Sequence, residues 1–425
     1  MQFTRHAHPD LSLHLLATDK FKTNTLVLNL QRPLTEGLVT RTALVPYVLT
    51  RGSTRYPSVR EMQAQLDHLY GSYLNADVYK LGERHVMQFR LEVPNGKYLP
   101  GRPKLLKEAI SFLHEMITQP VIEGKGFKES FVSLEKDALR KRVEGIFNNK
   151  AQYARMRCTE AMCPDEPYRL YSGGRIEDLP TITPELLYQE YLDLLVSAPM
   201  DMYIVGDIEP EAVTEELNQV FRFPGRAAPA LDSALKTGSA GAVKTVVDRH
   251  DVNQGQLVLG LRTPITYAHD DYLAMLMYNG VLGAFAHSKL FVNVRERESL
   301  AYSARSRYDS MKGLIFVQAG INIEDHDRAL AVIKEQFAAM EAGDISDQEL
   351  DQTRAMALNT YREAYDSPGA LINLAFESEV AGLERPIEAL AAEIPKITRE
   401  DIVRVAKTLQ LDTVYFLRDK EAVHA

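Results

Sequence analysis

The chain has 425 residues, with 49 Lys and Arg against 58 Asp and Glu, a net charge of −9 and a pI near 5.7. With 45% hydrophobic and 25% charged residues it has ordinary globular composition, which excludes disordered, collagen-like and coiled-coil classes and predicts two or three domains with their own cores. Its scattered cations leave no footprint for a nucleic-acid backbone or an anionic membrane, and no run of roughly 18 apolar residues could span a bilayer.

The N-terminus, MQFTRHAHPDLSLHLLATDKF, lacks a basic stretch followed by an apolar run, and only two cysteines occur, Cys158 and Cys163. Both features fit a soluble cytoplasmic chain in a reducing compartment.

Apolar residues alternate at Leu26, Leu28 and Leu30, the period of a half-buried strand, and a helix is expected from Leu38 to Leu49. A strand from His85 to Val93 follows, then helices over Lys104–Ile117 and Phe131–Asn148. Ile182-Thr-Pro-Glu185 starts a further helix, and Met202–Val205 reads as a strand. The same order then returns. Leu257, Leu259 and Leu261 alternate, Tyr272–Leu282 reads as a helix, and Gly313–Ile323 reads as a strand. Helices over Ala329–Met340 and Ser346–Ala364, a helix start at Ile397-Thr-Arg-Glu400 and a strand at Thr413–Leu417 complete it. Aligned without gaps, Leu26–Tyr47 and Leu257–Tyr278 share eight identities in 22 positions, where ordinary residue usage gives about one or two by chance.

The stretch from Phe223 to Val246 is rich in Pro, Gly, Ala and Ser and reads as a linker. The expected organisation is an N-terminal domain over 1–222, a linker over 223–246 and a C-terminal domain over 247–425. Each is expected to be an α+β domain, a mainly antiparallel sheet with helices on one face. Gly238-Ser-Ala-Gly-Ala-Val-Lys244-Thr245 lacks the spacing of a phosphate loop, and no nucleophile elbow is present. Cys158 and Cys163 lack evident metal partners and read as buried free thiols.

The run Phe291-Val-Asn-Val-Arg295-Glu-Arg-Glu-Ser-Leu-Ala-Tyr302, continuing to Tyr308 and followed by Lys312-Gly-Leu314, resembles the C-terminal half of the M16 (pitrilysin/insulinase) metallopeptidases. Ala43-Leu-Val-Pro-Tyr-Val-Leu-Thr-Arg-Gly52, Leu69-Tyr-Gly-Ser72, Asn149-Lys-Ala-Gln-Tyr153, Arg157-Cys158 and Gly174-Arg-Ile-Glu-Asp178 are similar to a subgroup of that family. That subgroup is the elongation factor P 5-aminopentanol modification-associated proteins. The resemblance spans nearly the whole chain.

The family's chemistry uses H-x-x-E-H on its first helix, where two His at i and i+4 hold zinc and the Glu serves as general base. Aligning on Arg51-Gly52 puts the His positions at Ala43 and Tyr47 and the Glu position at Pro46. Ala offers no donor, Pro offers no carboxylate and would kink or restart the helix, and a Tyr phenol near pKa ~10 is a poor ligand. The third ligand, a Glu seven residues after another Glu, falls at Arg142 if Glu135 marks the first. The resemblance therefore implies no catalytic residue and no metal or other cofactor in this chain, with zinc brought by a partner.

The same resemblance gives Arg295 and Tyr302 a role. In active relatives the residues at these positions reach the substrate backbone and stabilise the tetrahedral intermediate. Seven apart, they share a face on a helix, and they can also converge if the segment unwinds between them. Taken alone, Arg295-Glu-Arg-Glu298 reads as a solvated charge run and Tyr302 as core. Ala43 and Tyr47 recur as Ala274 and Tyr278, whose plain role is helix packing.

The expected function is the Arg/Tyr substrate-binding subunit of a heterodimeric zinc peptidase. Its partners would be a zinc-bearing M16 paralogue and a peptide or unfolded polypeptide held in extended form. The alternative is a pseudo-peptidase that presents a client such as elongation factor P without cleavage; a homodimer fits the sequence too.

Overall fold

In the computed structural model, residues 1–101, 104–223 and 225–420 are described. Pro224 of the expected linker, and residues 102–103 and 421–425 of the expected domains, lie outside them. Two units divide the chain. The first takes residues 1–144, 170–232 and 367–376; the second takes 145–169, 233–366 and the residues from 377 onward.

In the first unit, six strands form one sheet: β1 (Thr4–His6), β2 (Ser12–Ala17), β3 (Thr23–Pro33), β4 (Tyr73–Leu81), β5 (Arg84–Pro94) and β6 (Met200–Gly206). Their order is β1-β2-β6-β3-β5-β4, with β2 and β6 parallel and the other pairs antiparallel. Leu26, Leu28 and Leu30 of β3 face a core that includes Ala43, Leu44 and Val48 of helix α1 (Val39–Leu49), Leu113 and Leu139. Leu139 belongs to α2 (Glu129–Ile146). Helix α1 runs unbroken through Pro46, contrary to the expectation that Pro would restart it.

The opposite face of β3 is also buried, which the alternating pattern did not predict. Asn29 and Gln31 lie below a tenth exposed because they are paired: Gln88 donates to Asn29 at 3.0 Å and Gln31 donates to Asp201 at 2.7 Å. On that face His14 stacks on Tyr203 with ring centroids 4.4 Å apart, and Phe376 meets the Tyr203 ring edge-on at 6.1 Å. This aromatic contact holds residues 367–376 with the first unit.

The second unit repeats the topology. Strands β7 (Lys244–His250), β8 (Gly255–Arg262), β9 (Ala301–Asp309), β10 (Leu314–Ile321) and β11 (Gln410–Asp419) lie in the order β9-β10-β8-β11-β7, with β7 and β11 parallel. This matches β4-β5-β3-β6-β2 strand for strand. Helix α3 (Lys150–Met162) covers the face of this sheet made by Val258, Leu314, Phe316, Tyr415 and Leu417. A Cβ at Gly260 would run into the Met162 side chain, so the glycine admits α3 onto the strand. Cys158 and Cys163 are buried free thiols in this layer.

The simple division at a 223–246 linker needs correction, because α3 buries its apolar side on the second sheet and residues 145–169 go with that unit. The linker is also not all free chain: Ala234 is buried, Gly238 lies against Arg262 and Glu166, and residues from Lys244 onward form β7.

Just beyond α3, the Glu166 carboxylate accepts from Lys312 Nζ and from Arg262 Nη2, each at 2.7 Å, while Arg262 Nε donates to Asp412 at 2.7 Å. Lys312 and Arg262 are almost fully buried, so these carboxylates compensate charges that would otherwise be stranded. Burial pushes the Glu166 pKa up, but hydrogen bonds and charge from Lys312, then Arg262, outweigh it and hold it below the usual carboxylate range. Among the described residues no helix is long and apolar enough to cross a membrane.

Glu166→Gln removes the carboxylate that Lys312 and Arg262 share and is expected to cost about 3 kcal/mol of unfolding free energy at neutral pH, read by urea denaturation. Because the folded pKa is depressed, this stabilisation is present above the ordinary carboxylate value and lost as pH falls through the folded value. The gap between variant and wild type should therefore close in acid; a gap that stays constant contradicts the ion-pair account.

Candidate functional site

The positions aligned with a metal-binding motif gather in the first unit, but what they gather is cationic. Ala43 is fully buried in the core and Pro46 is buried beside it, so neither presents a donor. Tyr47, one turn after Ala43, is half-buried, and the Arg142 guanidinium lies over its ring at 4.3 Å from the centroid. Arg142 lies 3.8 Å from Glu135, seven residues earlier on α2, and Arg51 contacts the same carboxylate at 2.5 Å. Glu135 is buried, while Arg51 and Arg142 are each about a third to two-fifths exposed.

Tyr47 and Arg142 are thus neighbours in space, yet they cannot hold zinc. Burial first, then the nearby Asp77, push the Tyr47 phenol above its ordinary pKa against the opposing charge of Arg142, so it stays protonated. A guanidinium occupies the third position. It supplies donors only and would repel a dication. The buried carboxylate beside them, Glu135, is committed to Arg51 and Arg142. These residues do not fit a zinc ion.

In the second unit, Arg295 and Tyr302 come together through local unwinding. Leu290–Arg297 is a π-helix, a wide turn closed by the Glu298 N–H donating to the Asn293 carbonyl at 3.2 Å. Ser299 then takes a left-handed conformation, φ +52°, and the chain enters β9, whose pairing slips between Ala301 and Ser303. The slip is a bulge at Tyr302, and it re-aims that side chain out of the sheet register. Tyr302 is 81% exposed. The Arg295 guanidinium stands 4.6 Å from the Phe291 ring centroid and 5.9 Å from that of Tyr302. Neither the guanidinium nor the phenol makes a hydrogen bond among the described residues, so both keep their donors available.

The support beneath the pair is anchored. Asn293 donates to Gln336 at 2.5 Å, and buried Lys289 pairs with Glu349 at 3.0 Å. Gly283, in a second π-helical turn (Gly280–Ala284), lets that turn approach the β9 backbone, since a Cβ there would meet the Ser306 nitrogen at 2.5 Å. Sequence reasoning missed Phe291 as the platform for Arg295, although its spacing of four residues was visible. Ala274 and Tyr278 are buried in the second unit, as packing residues.

The chain thus has two units of one topology, one holding a guanidinium cluster at Glu135 and the other an exposed Arg/Tyr pair. Comparison with known proteins identifies the family. The family described as Peptidase M16 inactive domain matches residues 181–357. The probable inactive metalloprotease YmfF of Bacillus subtilis (strain 168) is 39% identical over 414 residues, covering 97% of this chain and 97% of its own. Among solved structures, a conserved protein from Enterococcus faecalis V583 has a TM-score of 0.93 at 28% identity, over 99% of this chain and 100% of that one. The peptidase M16 inactive domain from Pseudomonas fluorescens has a TM-score of 0.82 at 16% identity, over 99% of both, a likeness of fold. The chain belongs to the M16 peptidase family, among its non-catalytic members.

The cluster on Glu135 makes a stability prediction. Glu135→Gln leaves two guanidinia without their carboxylate and is expected to cost about 3 kcal/mol. Arg142→Ala, at a partly solvated position, should cost about 1 kcal/mol through its lost stack and pairing. Urea unfolding of both variants checks the order; an Arg142→Ala cost as large as that of Glu135→Gln contradicts it.

Proposed function

We propose that this chain is the substrate-holding subunit of a two-chain zinc peptidase, in which a zinc-bearing M16 paralogue supplies the metal and general base and this chain supplies Arg295 and Tyr302. The observation that carries the reading is asymmetry. One half-site is filled by protein charge, while the other keeps a guanidinium and a phenol exposed, adjacent and unbonded, on a π-helix and bulge anchored from below. A pair retained only for packing would be buried or internally bonded.

The chemistry suits the role. Arg295 presents charged donors and Tyr302 a hydroxyl donor, both suited to the carbonyl oxygens of an extended polypeptide and to the oxyanion that develops when a partner's metal-bound water attacks. Without a partner, the same pair would hold a polypeptide uncleaved, and a client such as elongation factor P is the ligand the subgroup resemblance favours. The physiological compartment expected for such a pair is the cytoplasm.

The test is co-expression with a zinc-bearing M16 paralogue from the same organism, followed by co-purification and peptide turnover. A stoichiometric complex is expected, with kcat/KM falling about 100-fold in Tyr302→Phe and at least as much in Arg295→Ala, the scale of one lost oxyanion donor. Full turnover by both variants contradicts the site. A purified complex without turnover, or no complex at all, leaves the uncleaved-client reading in its place.

A further inference from the structure

Strand β9 is the outer edge of the second sheet. Among the described residues its one strand neighbour is β10, so its other row of backbone N–H and C=O groups points away from the ladder. Within the register Arg305 lies opposite Gln318, Arg307 opposite Phe316 and Asp309 opposite Leu314. Phe316 and Leu314 form the core beneath α3, so Arg305 and Arg307 stand on that face of the sheet, and both are exposed.

Arg155 of α3 shares their field. It is only partly exposed, and its pKa is lowered first by burial and then by the Arg307 charge, with Arg305 adding to the lowering while Tyr168 and Asp309 oppose it. Among the described residues, none of these three guanidinia forms an ion pair or donates a side-chain hydrogen bond. The neighbouring acids are engaged elsewhere. Asp309 accepts the Tyr168 hydroxyl, and burial, then the Asp309 charge, raise Glu377 to about 7. In a chain of net charge −9, three unpaired arginines beside an open strand edge are a local excess of positive charge with no internal partner.

An extended polypeptide added beside β9 would satisfy the outer backbone groups, and every second side chain of it would stand on the face of Arg305 and Arg307. Carboxylates at those alternate positions would form the charge-assisted hydrogen bonds that the guanidinia lack. A phosphate polymer would use the charge but not the strand edge, and an apolar segment would use the edge but not the charge. We infer that β9, with Arg155, Arg305 and Arg307, is the docking edge for an extended acidic segment, with Asp or Glu at alternate positions, of the polypeptide this chain holds. The inference rests on the polypeptide-holding reading above and narrows its ligand.

The test uses the full chain and two labelled decapeptides, one alternating Glu with Thr and one alternating Gln with Thr, titrated by fluorescence anisotropy at low and high salt. The Glu peptide is expected to bind about 10-fold more tightly at low salt, with the advantage shrinking as salt screens it. The double variant Arg305→Glu/Arg307→Glu should abolish that advantage while leaving the Gln peptide's affinity unchanged. Arg155→Ala, which leaves β9 itself intact, should reduce it about 3-fold. Circular dichroism and thermal melting verify that each variant is folded.

Equal binding of the two peptides by wild type overturns the acidic docking edge alone, as does a Glu preference that survives charge reversal. Inorganic polyphosphate binding tightly while both peptides bind alike also overturns it and identifies a phosphate polymer as the ligand. Neither peptide binding, with or without a zinc-bearing paralogue present, overturns both this inference and the reading it rests on.

Discussion

The Glu135 carboxylate, held between Arg51 and Arg142 while Arg142 lies on the Tyr47 ring, is the interaction on which the functional account depends. It occupies the place where the family resemblance puts a metal. A dication there would need neutral or anionic donors; this cluster offers two cations, a protonated phenol and one carboxylate already engaged. The loss of metal chemistry is thus not one missing ligand that a water could replace. The positive charge here is that of guanidinium groups, held in an ion-pair and cation–π assembly that serves the fold.

The two units took the same topology in different directions. In the first, the central strand β3 carries α1, whose inward positions became Ala43 and Pro46 and now only pack. In the second, the equivalent helix Tyr272–Asn279 runs on into a π-helical turn, and a separate π-helix, Leu290–Arg297, brings Arg295 beside Tyr302. π-helical turns and bulges forgo regular hydrogen bonding and are common where a side chain must be aimed. Here the cost is offset by the Asn293–Gln336 and Lys289–Glu349 contacts below.

Much of this was legible in the sequence. The leucine alternation located β3 and β8, and the 22-position repeat located the duplication. What the pattern could not convey was burial on both faces. Asn29 and Gln31 look solvent-facing by alternation but are buried, paired with Gln88 and Asp201 on neighbouring strands, and no local signal says that α3 will cross onto the second sheet. The proline in α1 misled for a related reason: packing around a buried helix outweighs the one backbone hydrogen bond that Pro46 removes. Arg155, far from Arg305 and Arg307 in sequence, joins them only through that crossing helix, so no reading of motifs could have grouped the three.

The central claim is that polypeptide is held at the Arg295/Tyr302 end of β9, and photo-crosslinking measures this most directly. A peptide bearing a benzoylphenylalanine residue would be irradiated with the intact chain, and the adducts mapped by mass spectrometry. The account predicts adducts concentrated between Phe291 and Asp309 and lost on competition with unlabelled peptide. Competable adducts confined to other segments, with that stretch unmodified, would contradict it.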